Sequence, residues 1–348
     1  MIELRSDTFT LPTPRMREAM ASAPLGDDVY GEDPTVRELE ELAAHVCGKQ
    51  AACLMPSGTM ANLAAVLAHA GRGEKVLVGD ESDLHVYEAA GPSVLGGVAV
   101  EPVPTRPDGT LALDDLARGF PDDPDDPQFA LPALLCLENT HNRCGGKVLP
   151  PDYPAAVRRF ADERGVAVHL DGARVFNASV ASGVPVADLA AHADSLQFCL
   201  SKGLGAPIGS ITAGSAAFIT KVRRLRKLLG GGMRQAGVIA AAGIVAIEEA
   251  GRLAVDHEHA RLLAKGLAGI DGVELADPDV PTNMVFFRVT DERFTHRAFV
   301  DSAAAKGVAL AELGHGRIRA VTHSGVTRAD VENAVAVVAD VLREGPRS

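Results

Sequence analysis

The sequence predicts an α/β protein with a mostly parallel central sheet, covered on both faces, and a smaller C-terminal α+β domain. Three observations carry this. The chain has 348 residues, room for about two domains at ~150 residues each. Hydrophobic residues make up 47% and charged residues 23%, the balance of a soluble globular chain rather than a disordered one. Short apolar runs alternate with helical patterns through the first two thirds, and the pattern changes in the last third.

Taken in order, residues 76–78, 98–100, 134–137, 166–170 and 196–200 read as buried strands. They are nearly continuous apolar runs, as expected where helices cover both sheet faces. Residues 152–164 read as a helix between strands, and 236–247, rich in Ala and Gly, as a buried helix. Residues 284–287 and 318–321 then read as strands, and 294–306 and 327–342 as helices, with Thr327 as the N-cap of the last. Segment 121–127, Pro-Asp-Asp-Pro-Asp-Asp-Pro, reads as a solvated loop, since its prolines fit neither a helix interior nor a central strand. Its carboxylates lack the fixed geometry a calcium site needs, and no metal is expected.

Charge and cysteine usage bound the function. Lys plus Arg is 34 against 46 Asp plus Glu, a net charge of −12. A field of that sign repels nucleic acid and anionic membranes, although a local cationic site can hold one phosphate. No apolar run reaches the ~18 residues of a membrane span. Residues 1–8 carry acids where a signal peptide has a cationic flank and an apolar core, so a cytoplasmic protein is expected. Cys47, Cys53, Cys136, Cys144 and Cys199 show no paired spacing and read as reduced thiols. Cys144, beside Arg143 and Gly145, reads as the exposed one and the others as packing residues.

Three segments carry chemistry. At 195–205 an apolar strand runs into Ser201-Lys202-Gly203. A lysine at a strand's carboxyl end reads either as a snorkelling surface residue or as a desolvated amine of lowered pKa, available as a nucleophile. At 166–174 another strand ends in Asp171-Gly172-Ala173-Arg174. Ligands of parallel sheets gather at the carboxyl ends of strands, so Asp171 and Lys202 are expected on one edge; alternatively Asp171 caps a helix or pairs with Arg174. At 56–62 the turn Pro56-Ser57-Gly58-Thr59 opens a helix, offering free N–H groups and a hydroxyl to an anion, or simply a capped helix. Together an amine, an acid and a phosphate cradle are what pyridoxal phosphate requires: an imine-forming lysine, an acid on the pyridine nitrogen and a turn around the phosphate.

Across nearly its whole length the sequence resembles the low-specificity L-threonine aldolases, fold-type I pyridoxal-phosphate enzymes of the β-eliminating lyase superfamily. The landmarks are residues 4–8 (LRSDT), 26–31 (GDDVYG), 56–59 (PSGT), 137–142 (LENTHN), 171–174 (DGAR), 201–204 (SKGL), 230–235 (GGGMRQ) and 319–323 (RAVTH). The resemblance implies the fold-type I architecture, with 1–15 as an N-terminal arm reaching the active site, 16–250 as the large cofactor-binding domain and 251–348 as the small domain. It makes Lys202 the imine lysine, sets Asp171 on the pyridine nitrogen and Arg174 on the ring's 3′ oxygen, and gives the phosphate to Gly58 and Thr59. Ser6 and Arg319 would bind the substrate carboxylate, which a guanidinium fork matches. Tyr30, Lys227 and Arg234 would arrive from a neighbouring subunit of a homotetramer, a dimer of dimers with sites at the dimer interfaces.

The match breaks at two places. Relatives carry a histidine, stacked on the cofactor ring, where this chain has Asp83, and the histidine here is His85. If the segment is helical, residues two apart lie on nearly opposite faces, so His85 would not replace it without a local shift. A second family histidine aligns with Gln128, which has no basic nitrogen at neutral pH. Cofactor binding survives both changes; the identity of the base, Asp83, His85 or a water on the cofactor phosphate, does not. The implied reaction is retro-aldol cleavage of L-threonine, L-allo-threonine or related β-hydroxy-α-amino acids to glycine and an aldehyde. The alternatives are β-elimination, an aldolase for a bulkier β-hydroxy amino acid, and a silent cofactor-binding protein.

Overall fold

A computed structural model describes residues 1–346. Its strands, in chain order, are β1 Ile2–Glu3, β2 Ala51–Met55, β3 Lys75–Gly79, β4 Ala99–Val103, β5 Pro132–Glu138, β6 Ala167–Asp171, β7 Ser195–Cys199, β8 Ser210–Gly214, β9 Val273–Leu275, β10 Met284–Val289, β11 Val308–Ala309, β12 Ala311–Glu312 and β13 Ile318–Val321. The central sheet runs β2-β8-β7-β6-β5-β3-β4. The pairs β3–β4, β3–β5, β5–β6 and β6–β7 are parallel. Strand β8 lies antiparallel to both β2 and β7, so the sheet is mixed at one side.

The period of two along each strand sorts side chains to two faces. Leu77, Leu135 and Leu137 join the larger core, with Met16 and Leu39 from the helices Pro14–Ser22 and Pro34–Val46. Their neighbours Val76, Val78, Leu134 and Cys136 face the other way. On that second face Cys53 and Met55 meet Ala61 and Ala64 of the helix Gly58–His69 and Phe218 of the helix Ala216–Leu228. The Ala- and Gly-rich helix Gly237–Glu248 is buried on the larger core.

The last third forms an antiparallel sheet, β12-β13-β10-β9. It packs on the helices Leu253–Leu267, His296–Ala305 and Arg328–Glu344 through a core that includes Leu263, Phe287, Phe299 and Val338. Thr327 and Asp330 form a reciprocal capping box at the start of the last helix. The N-terminal segment is stitched to this part: β1 pairs with β11, Leu4 enters the core, and the Leu4 carbonyl accepts from Val321 N at 2.8 Å. No helix among the described residues is long and apolar enough to cross a membrane. Segment 121–127 is a mostly exposed loop, and the described residues hold no metal-like cluster of His, Cys, Asp or Glu.

Candidate active site

Parallel pairing sets three polar residues side by side at the carboxyl edge of the sheet. Glu138 of β5 is in register with Asp171 of β6, which is in register with Gln197 of β7. Asp171 is buried, and N–H donors hold both its oxygens. Oδ2 accepts from Asn62 Nδ2 at 2.8 Å; Oδ1 accepts from Ala173 N at 3.0 Å and Gln197 Nε2 at 2.5 Å. Burial pushes this carboxyl up while Lys202 and the donors oppose, and the balance is upward. Three donors on two oxygens are nonetheless the surroundings of a carboxylate.

Lys202 sits in the turn after β7. It shares with Asp171 a cavity of about 190 Å³, also lined by Gly58, Thr59, Asp83 and Glu88. Among the described residues Lys202 forms no ion pair within 4.0 Å. Of the two sequence readings of this lysine, the desolvated amine of lowered pKa has the wrong sign. Burial does pull the ammonium down, but Cys199 and the carboxylates of Asp83 and Asp171 outweigh it, against Arg174, and the balance is upward.

The third wall is the start of the helix Gly58–His69. Ser57 caps it, its hydroxyl accepting from Met60 N at 3.2 Å. The N–H groups of a first helical turn have no intrahelical acceptor and carry partial positive charge. Glycine is required here by close approach: a Cβ on Gly58 would stand 2.9 Å from Cys199 Sγ.

Asp83 opens a short helix, Asp83–Val86, and lines the same cavity. Its Oδ1 accepts from Asn142 Nδ2 at 2.9 Å, and Asn142 Oδ1 accepts from Arg319 Nη1 at 2.8 Å. Glu138 clamps the pair from below, accepting from the backbone N–H groups of Asp83 at 2.9 Å and Asn142 at 2.8 Å. Arg319 Nη2 donates to the Arg5 carbonyl at 3.0 Å, while its Nε is buried without a partner. Burial, then Arg174, pulls the Arg319 guanidinium down from its ordinary value.

Ser6, Arg174 and Arg319 are not among the residues that line the cavity. Arg174 donates to both oxygens of Asp7, at 2.7 and 2.6 Å, inside the protein. Ser6 caps the turn Asp7–Phe9, accepting from Thr8 N at 3.2 Å.

Other expected residues lie apart. The segment at 83–86 is helical, and His85 is exposed. Gln128 is exposed and donates to Asp126. Tyr30 and Lys227 line a separate basin of about 560 Å³, and Arg234, beside it in sequence, pairs with Asp27 at 2.9 Å. The sequence reading missed Asn62, Glu88 and Asp7, and gave no role to Asn142 or Glu138, although the run 137–142 was a landmark.

The arrangement can form a covalent bond to a carbonyl through Lys202, hold an anion at the helix start, and balance a positive ring atom with Asp171. Those are the demands of pyridoxal phosphate, and an amine with no carboxylate ion pair beside the free N–H groups of a helix start fits that group.

Comparison with known proteins agrees. The beta-eliminating lyase family model matches residues 3–290. The chain is 46% identical over 333 residues to low-specificity L-threonine aldolase 1 of Arabidopsis thaliana, covering 95% of this chain and 93% of that protein. It is 44% identical over 337 residues to the low specificity L-threonine aldolase of Escherichia coli K12, covering 97% and 98%. The solved threonine aldolase of Leishmania major shares the fold, with a TM-score of 0.83 at 20% identity over 98% of this chain and 100% of that one. With matches of this extent to sequences and of this closeness in fold, the chain belongs to the beta-eliminating lyase family and, within it, to the low-specificity L-threonine aldolases, which are pyridoxal-phosphate-dependent lyases.

Proposed function

We propose that this protein cleaves L-threonine, L-allo-threonine and related β-hydroxy-α-amino acids to glycine and an aldehyde, with pyridoxal 5′-phosphate as its cofactor. The observation that carries the reading is the meeting of Lys202, Asp171 and the Gly58–Thr59 helix start on one cavity. When bound, the cofactor supplies an electron-withdrawing ring that accommodates the electron pair released at Cα.

The chain's own residues do the rest. Lys202 would supply the amine that holds the cofactor. With the cofactor bound, Asp171 would hold negative charge at its ring nitrogen, Arg174 would serve the 3′ oxygen, and Gly58 and Thr59 would take the phosphate at a helix N-terminus. Arg319 and Ser6 fix the substrate carboxylate, a match for the guanidinium fork. Holding the carboxylate orients the Cα–Cβ bond, and orientation alone lowers a barrier by several kcal/mol. Asp83 takes the proton of the β-hydroxyl as that carbon becomes an aldehyde; its Oδ1 is occupied by Asn142, leaving Oδ2 for the task. His85, exposed on the far side of its helical turn, takes no part. Residues 1–15 act as an arm on the site, 16–250 as the cofactor domain and 251–348 as the small domain. Tyr30, Lys227 and Arg234 complete a neighbour's site in a cytoplasmic homotetramer.

The test is borohydride reduction of the protein with cofactor, followed by peptide mapping, and product analysis with threonine. Label on Lys202, with glycine and acetaldehyde released, is expected. Label on another lysine, or a keto acid with ammonia, overturns the reading.

A further inference from the structure

A file of buried polar side chains runs from Asp171 along the underside of the helix that opens at Gly58. Asn62 Nδ2 donates to Asp171 Oδ2 at 2.8 Å and to Glu88 Oε1 at 2.9 Å. Its Oδ1 lies 3.1 Å from His169 Nε2. His169 Nδ1 lies 2.8 Å from Ser195 Oγ, which lies 2.8 Å from His69 Nε2. The fold dictates this adjacency. His169 is two residues before Asp171 on β6 and so shares its face, Ser195 is its register partner on β7, and Asn62 and His69 are seven residues apart on one helix face.

The Asn62 amide, with both hydrogens on carboxyl groups, sets one consistent order of donors and acceptors through the file. Both amide hydrogens of Asn62 are spent on carboxyl groups, so its Oδ1 must accept, and His169 must carry its hydrogen on Nε2. His169 Nδ1 then accepts from the Ser195 hydroxyl, whose oxygen accepts from His69. Burial keeps both imidazoles uncharged at neutral pH, pulling His169 down to about 3 and His69 to about 4. Asn62 is 1% exposed and His169 and Ser195 are 0% exposed, so bulk water is not at hand to substitute for a link. The reverse order would put the Asn62 carbonyl oxygen against Asp171 and demand a protonated acid there.

We propose that His169, backed by Ser195 and His69, is a positioning residue for Asp171: it locks the Asn62 amide so that an N–H, never a carbonyl oxygen, faces the carboxylate. The inference rests on the cofactor reading above, because the beneficiary is the negative charge offered to a pyridine nitrogen. A hydrogen bond to a charged group is the strong kind, and losing its orientation is felt as charge, not only as packing.

The test measures binding of two probes to the cofactor-free protein: pyridoxal phosphate and its 1-deaza analogue, in which a C–H replaces the ring nitrogen. Wild type is expected to prefer the nitrogen-bearing probe. In His169→Phe that preference falls by about tenfold, and in Ser195→Ala, the smaller change, by about threefold. Affinity for the deaza probe changes less than twofold in each. Equal losses for both probes, the result of a purely structural role, overturn the proposal, as does a preference left unchanged in both variants. A wild type that binds the two probes equally removes Asp171 from the ring nitrogen and overturns the inference, whereas the cofactor reading stands or falls with the borohydride label on Lys202.

Discussion

Arg174 and Asp7 close on each other across 167 positions of chain, through two hydrogen bonds of 2.7 and 2.6 Å, with side chains 4% and 0% exposed. The N-terminal arm is thereby tied to the large sheet at Arg174, while Leu4 ties it to the core of the small sheet. Burial alone would raise the Asp7 carboxyl, but Arg174 beside it holds it well below the usual carboxylate range. A group so depressed contributes stability above the unfolded carboxylate pKa and loses it as pH falls through the folded value. Asp7→Asn leaves a buried guanidinium uncompensated and should cost about 3–5 kcal/mol in denaturant unfolding at neutral pH. An unchanged midpoint would show that the pair is dispensable.

Asp83 and His85 offer a direct contest for the proton of the β-hydroxyl. One lines the cavity and the other is exposed. Asp83→Asn keeps the bond to Asn142 through its amide oxygen but removes the base, and kcat for threonine cleavage should fall by about 10²-fold or more. His85→Asn should stay within about twofold of wild type. Steady-state aldehyde release measures both, and a large loss in the His85 variant with none in the Asp83 variant would reverse the assignment.

Much of this was legible because it is local. The apolar runs of β5 and β6 each end in a carboxylate and that of β7 leads into Ser201-Lys202, and parallel sheets gather ligands at that edge. Thr327 announces its helix by a side-chain cap that depends on three neighbours. Strands β2 (AACLM) and β8 (SITAG) were not read, since small residues give neither a β-branched run nor an alternation. The desolvated-amine reading of Lys202 had the wrong sign for a related reason: burial is visible at one position, whereas the opposing Cys199, Asp83 and Asp171 come together only in the fold. Asn62 and Asn142 escaped notice because an amide has no intrinsic chemistry; their partners lie 109 and 177 positions away.

Asn142 joins the two ends of the proposed substrate site, accepting from Arg319 and donating to Asp83. Asn142→Asp would give Arg319 a permanent carboxylate in competition with the substrate's, and would set a second negative charge against Asp83. KM for threonine should rise by about tenfold or more, through loss of binding shared by ground and transition states. Asn142→Ala frees the guanidinium and should spare KM while lowering kcat, because Asp83 loses its orientation. Equal behaviour of the two variants would mean that the link has no directional role.

Glu88 is the group most open to a test by pH. Burial, followed by the neighbouring charge of Asp171, pushes its carboxyl up to about 8, against the hydrogen bond from Asn62, and its Oε2 is buried without a partner. The folded state therefore holds a proton that the unfolded chain releases near its ordinary carboxylate value. The stability this confers is complete below about 4.5 and is lost as pH rises toward about 8. Between those values this one group should lower unfolding free energy by up to about 1.4 kcal/mol per pH unit. Glu88→Gln keeps an acceptor for Asn62 and cannot ionise, so its denaturation midpoints measured from pH 5 to 8 should lie on a flatter line that rises above wild type toward the alkaline end. Parallel lines for the two proteins would place the Glu88 carboxyl in the ordinary range and return the pair of acids to two full charges on one amide.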